Sequence, residues 1–109
     1  MINTPDNIWQ ETQAIALADT LTCINNTEIM RNFLRDVMTE KEIREISARF
    51  KAAELLSRGE KYTNITKITK LSSRTIARIN DWLRNGSTGY AAALETTKNH
   101  HAHILPARD

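Results

Sequence analysis

A chain of 109 residues with 15 basic and 13 acidic side chains, 40% hydrophobic and only 6% aromatic, has room for one ordinary domain with a mainly aliphatic core. It contains no run of about 18 apolar residues and no charged start leading into an apolar stretch, so neither a membrane span nor a secretory leader is expected, and the cytoplasm is the expected compartment. The lone Cys23 cannot pair within the chain, which argues against a disulfide-stapled module and for a packed, inert thiol.

Apolar residues recur at intervals of three and four along nearly the whole chain, so an all-α fold is expected. Asp6 or Asn7 can cap a first helix running to about Ile24, with Ile8, Ile15, Ala18 and Leu21 as its apolar surface. Asn25-Asn26-Thr27 interrupts it, and a second helix follows with Ile29, Met30, Phe33, Leu34 and Val37 as a broad stripe. Thr39-Glu40-Lys41-Glu42 has capping-box spacing: the threonine hydroxyl can accept from the Glu42 amide while the Glu42 carboxylate reaches back. The third helix starts there, carries Ile43, Ile46, Phe50 and Ala53 along one seam, and ends near Arg58-Gly59, where glycine tolerates the left-handed backbone.

Two short helices follow, about Tyr62 to Thr69 and Ser73 to Arg84, joined by Lys70-Leu71-Ser72. Tyr62, Ile65 and Ile68 share one face and Ile76, Ile79 and Leu83 the other, with Leu71 at the corner and Ser72 as cap of the second helix. Facing stripes across a three-residue joint match a helix-turn-helix. Asn85-Gly86-Ser87-Thr88-Gly89 breaks the chain, a last helix runs from Tyr90 to about Lys98, and residues 99–109 read as a flexible tail. Residues 1–98 therefore form a single all-α domain with the helix-turn-helix at 62–84.

The charge is unevenly spread. Lys61, Lys67, Lys70, Arg74, Arg78 and Arg84 face a single acid, Asp81, within positions 61–84, and the rest of the chain is net acidic. A polyanion senses charge within about 10 Å at moderate salt, so the local excess matters more than the chain's total of +2. Opposite Ile76, Ile79 and Leu83 the second short helix presents Arg74, Arg78 and Asp81 with Ser73 and Ala77 beside them and Thr75 toward another edge. Arginine binds guanine bidentately, hydroxyls serve donor or acceptor edges, and alanine lets the backbone approach a thymine methyl. The helix N-terminus favours phosphate, and Lys67 and Lys70 can fix register through the DNA backbone.

From about Met38 to Glu95 the sequence resembles the Trp repressor superfamily, and its YerC/YecD-type relatives more than the tryptophan-responsive repressor. The resemblance is carried by MTEKE at 38–42, ARF at 48–50, LLSRGEKYTNI at 55–65, RTIARIN at 74–80 and NGSTGYAAALE at 85–95. It implies a six-helix subunit in an intertwined homodimer, and a sequence-specific transcriptional regulator of double-stranded DNA, a repressor. Its two heads would meet successive major grooves about 34 Å apart, a spacing for which the Trp repressor is itself one of the reference cases and which is taken over from the family. The family's DNA-contacting positions fall on Thr63, Thr66, Ser72, Ser73, Arg74, Thr75 and Ala77. Its turn carries glycine where this chain has Lys70.

The resemblance also implies a small-molecule pocket, in which an indole lies between two arginines corresponding to Arg49 and Arg78, with Thr39 nearby. Ile79 stands where the family has a glycine, and Trp82 where it has a serine that helps hold the ligand's amino group. Two larger side chains should fill the slot and remove a polar partner, so no tryptophan corepressor, and no other cofactor, is expected.

Other signals carry little. His100, His101 and His103 lack a neighbouring cysteine or carboxylate cluster and make a poor metal site. Glu40, Glu42 and Glu45 read as helix-start and surface charges, and no nucleophile elbow or phosphate-binding loop occurs, so an enzyme is not expected. The rival to a DNA-binding regulator is a helical protein-interaction module whose basic pair of helices docks an acidic partner.

Overall fold

The computed structural model describes residues 7–86 and 88–104, with side chains as far as Lys98. A short 3-10 turn at Ile8–Gln10 precedes six helices: α1 Thr12–Cys23, α2 Thr27–Val37, α3 Glu40–Ser57, α4 Tyr62–Thr69, α5 Ser73–Asn85 and α6 Gly89–Ile104. There is no strand among the described residues. None of the described helices is long and apolar enough to cross a membrane. The chain divides into two compact units, one ending at Ile43 and the other beginning at Arg44.

In the first unit, local chemistry sets the boundaries. Asn7 caps the 3-10 turn by accepting from the Trp9 amide at 3.0 Å; Asp6, the other candidate cap, lies outside the described residues. The expected single first helix is broken at Glu11, whose backbone is extended. Its amide closes the 3-10 turn on the Ile8 carbonyl, and its own carbonyl receives the Ile15 amide to start α1. Asn26 then caps α2 by accepting from the Ile29 amide at 2.9 Å. The capping box forms in full: the Glu42 amide donates to Thr39 Oγ1 at 3.1 Å, and the Thr39 amide donates to Glu42 Oε1 at 2.9 Å.

No described side chain of this unit reaches full burial. Ala14, Ala18, Leu21, Phe33 and Leu34 are half-buried, whereas Ile8, Trp9, Ile15, Leu17, Ile29 and Val37 are exposed. Cys23 is exposed too, contrary to the packed thiol expected from its apolar neighbours, as α1 has no buried residue in the single chain.

The second unit holds the core. Ala52, Ala53, Leu55 and Leu56 of α3 pack with Ile65 of α4 and Ile76 and Ile79 of α5, and Tyr62, Leu71, Leu83, Tyr90 and Leu94 close over them. Ile65 and Ile76 are fully buried, each contributing about 1.5–3 kcal/mol, so the α4–α5 corner is held by its apolar side. The seam expected along α3 is only partly realised: Ala53 is buried and Phe50 half-buried, but Ile46 is 53% exposed. On α4 the inward face is Tyr62, Ile65 and Thr69, the last half-buried, and Ile68 points outward at 51% exposure.

The end of α3 is a Schellman arrangement. Gly59 takes φ +84°, its amide donates to the Leu56 carbonyl at 3.0 Å and the Glu60 amide to the Leu55 carbonyl at 3.0 Å. The final helix runs to Ile104, six residues beyond Lys98 where the tail was expected to begin. Residues 99–104 contain neither glycine nor proline, and the first such breaker is Pro106. The remainder of the expected tail, 105–109, lies outside the described residues.

Between α4 and α5, Lys70 is left-handed at φ 66° and ψ 12°. Its amide donates to the Thr66 carbonyl at 2.8 Å, and Thr69 braces the turn: its hydroxyl donates to the Ile65 carbonyl at 2.8 Å and accepts the Leu71 amide at 3.2 Å. The turn keeps its shape by this brace although a side chain disfavours the conformation by about 1 kcal/mol. Lys70→Gly is expected to raise unfolding stability by about 0.5–1 kcal/mol in urea titrations.

Candidate nucleic-acid interface

Burying Ile76 and Ile79 settles which side of α5 faces solvent. With those two in the core, Ser73, Arg74, Ala77, Arg78 and Asp81 are all exposed, while Thr75 is half-buried at the edge. Ser72 caps the helix, accepting the Thr75 amide at 3.1 Å, and its hydroxyl donates to Thr75 Oγ1 at 3.1 Å. From α4, Thr63 and Lys67 are exposed and Thr66 is half-buried, and Lys70 is exposed on the turn. The structure thus carries the candidate residues on the two helices of one corner, whose opposite side is core.

The surface is cationic and uncompensated. Among the described residues Lys67, Lys70, Arg74 and Arg78 have no acidic partner, since the ion pairs described there join Arg35 to Glu40 and Lys51 and Arg58 to Glu54. Asp81 instead accepts from Asn85 Nδ2 at 3.0 Å within α5. The positive end of the α5 dipole adds to the field at Ser72 and Ser73.

Arg84 belongs to the same basic segment but is engaged internally. Its Nη2 donates to the Leu56 carbonyl at 3.3 Å and its Nε to Asn80 Oδ1 at 3.2 Å. Neither partnership was anticipated from the sequence; the Asn80–Arg84 spacing of one helical turn carried the signal for the second. The bracing role of Thr69 was also missed, and its four-residue spacing from Ile65 is the usual pattern for a hydroxyl bonding back to a carbonyl.

Arg49 and Arg78 line one cavity of about 270 Å³ together with Thr75, Ile79, Trp82 and Tyr90. Thr39 belongs to the first unit, where its hydroxyl caps α3. The expectation that Ile79 and Trp82 fill this space is met only in part. Ile79 is packed into the core at 3% exposure, Trp82 is 55% exposed, and open volume remains between the arginines. Gly86 lets the indole lie close over the end of α5, since a Cβ there would sit 2.7 Å from Trp82 Cε3. No group of three or more potential metal ligands occurs among the described residues, and the side chains of His100, His101 and His103 lie outside them.

The family model for the Trp repressor protein matches residues 12–98. A TrpR-like protein of Eubacterium eligens ATCC 27750 is 31% identical, with 84% of this chain and 96% of that chain covered at a TM-score of 0.76. A Staphylococcus aureus protein provisionally described as a Trp repressor superposes with a TM-score of 0.78 over 88% of this chain and 96% of that chain. At 24% identity this second likeness concerns the fold alone. No curated protein sequence matches the chain significantly.

Proposed function

The chain belongs to the Trp repressor family, whose members are regulatory DNA-binding proteins and not enzymes, and from that premise we propose that it is a homodimeric cytoplasmic repressor reading duplex DNA through α4 and α5. The observation that carries the reading is the exposed face of α5 bearing Arg74 and Arg78, which have no acidic partner among the described residues, set opposite a buried isoleucine pair. Arg74 reads a guanine edge and Ala77 faces a thymine methyl. Ser72, Ser73 and the α5 N-terminus hold phosphate, and Lys67 and Lys70 fix register. Thr63, Thr66, Thr75 and Arg78 flank these contacts.

Two identical heads fit a two-fold operator, and the dimer is supported by the first unit, whose apolar side chains are left without a buried core. Residues 1–98 act as one functional domain within that dimer. The reading is tested by selecting duplexes from a random pool with the full chain. An enriched two-fold motif, bound with a steep salt dependence of about −0.9 in log-log slope per neutralised phosphate, is the expected result. Absence of enrichment would leave a surface suited to an acidic protein partner.

Within the family we place the chain with the YerC/YecD-type relatives. Trp82 supplies no acceptor for an amino group, and the hydroxyls that line the cavity are those of Thr75 and Tyr90. Calorimetric titration with tryptophan is therefore expected to give no saturable heat at micromolar concentrations, and a saturable isotherm there would overturn the assignment.

A further inference from the structure

We propose that Arg84 is a positioning residue for DNA reading and not a DNA contact: it fastens the C-terminal end of α5 to the end of α3 and thereby sets the angle at which Arg74 and Ala77 are presented. This rests on the reading of α5 as the DNA-reading helix.

The geometry supports it in three ways. First, the guanidinium is occupied on two sides, by the Leu56 carbonyl at 3.3 Å and by Asn80 Oδ1 at 3.2 Å. The planar fork fixes both directions at once, which a lysine cannot reproduce. Second, Leu56 lies in the last turn of α3, where the helix dipole is negative and a cation is favoured. That carbonyl also receives the Gly59 amide, so the anchor point belongs to an ordered helix end. Third, the α4–α5 corner holds α5 at its N-terminal end through Ile65, Leu71 and Ile76, whereas at the other end α5 itself contributes Leu83 and Arg84, beside Tyr90 and Leu94 of α6.

The leverage is considerable. Arg84 lies about 16 Å along the helix from Ser73, so with the corner as pivot a release that moves the far end by roughly 1.4 Å tilts α5, and the side chains it presents, by about 5°. That is enough to spoil a bidentate contact with a base edge, while phosphate contacts made by flexible lysines survive it.

The test uses the full-length protein, a duplex selected from a random pool and a scrambled duplex of the same length. Arg84→Met, which keeps the aliphatic stem, is expected to lower affinity for the selected duplex about tenfold while leaving the scrambled duplex and the log-log salt slope unchanged. Arg84→Lys, with the charge retained, should lose selectivity to a similar degree. Asn80→Ala should cause a smaller loss in the same direction, and its combination with Arg84→Met no further loss. Three results would overturn the proposal: unchanged selectivity in Arg84→Met and Arg84→Lys, full rescue by lysine, or an equal loss on both duplexes with the slope reduced by about 0.9 per head, which marks a phosphate contact. A wild-type protein that enriches no duplex would remove the DNA-reading premise itself, whereas failure confined to the variants leaves that premise standing.

Discussion

Arg74→Ala is expected to lower affinity for the selected duplex at least about 30-fold and to relax its sequence preference. One bidentate arginine–guanine contact discriminates by about 1–3 kcal/mol, and a two-headed dimer loses two together. Arg74 is exposed on α5 one turn before Arg78 and has no acidic partner among the described residues, so its guanidinium is available without breaking an internal bond. Lys67→Ala is the matched control: binding should weaken evenly across sequences, with the salt slope reduced by about 0.9 per head. Fluorescence anisotropy titrations across a salt series separate the two. If Arg74→Ala leaves the preference intact, α5 does not read the bases.

The other large effect is expected in the first unit. Ile29 is 56% and Val37 53% exposed on α2, with half-buried Phe33 between them on the same side of the helix. An apolar stripe of this kind needs a partner, and in the proposed homodimer a second chain supplies it. Ile29→Asp would then place one carboxylate from each subunit in the interface, raising the dimer dissociation constant by about 1000-fold or more. Sedimentation should show the wild-type protein at twice its 12.4 kDa chain mass and the variant at the chain mass. The wild-type melting temperature should rise with protein concentration, as linkage to association requires. A wild-type chain that remains monomeric at high concentration would refute the dimer.

What could be read from the sequence was mostly chemistry confined to a few neighbouring residues. The Thr39–Glu42 box, Gly59 and Ser72 each terminate or start a helix through bonds spanning three residues or so, and all occur as expected, while Asn26, read only as part of a break, caps α2 in the same way. The buried pairing of Ile65 with Ile76 and Ile79 was legible because two strong stripes face one another across a short joint. Longer-range packing was less legible. Ile46 and Ile68 have the spacing of core residues, yet each is exposed in the single chain, because periodicity identifies an apolar face without saying what covers it. The break at Glu11 carries no glycine or proline to announce it. On the candidate interface, residue types and side were legible, but the internal engagement of Arg84 was not, since Leu56 lies 28 positions away. The same holds for the space left beside Trp82, which depends on how Gly86 lets the ring lie.

That half-open ring gives the molecule an optical property. Trp82 forms part of the wall between Arg49 and Arg78, and Trp9, the chain's other indole, belongs to the first unit. Ultraviolet emission from Trp82 is therefore sensitive to the water and charge in that recess, so a solute settling there would change the colour of the protein's own light without any attached dye.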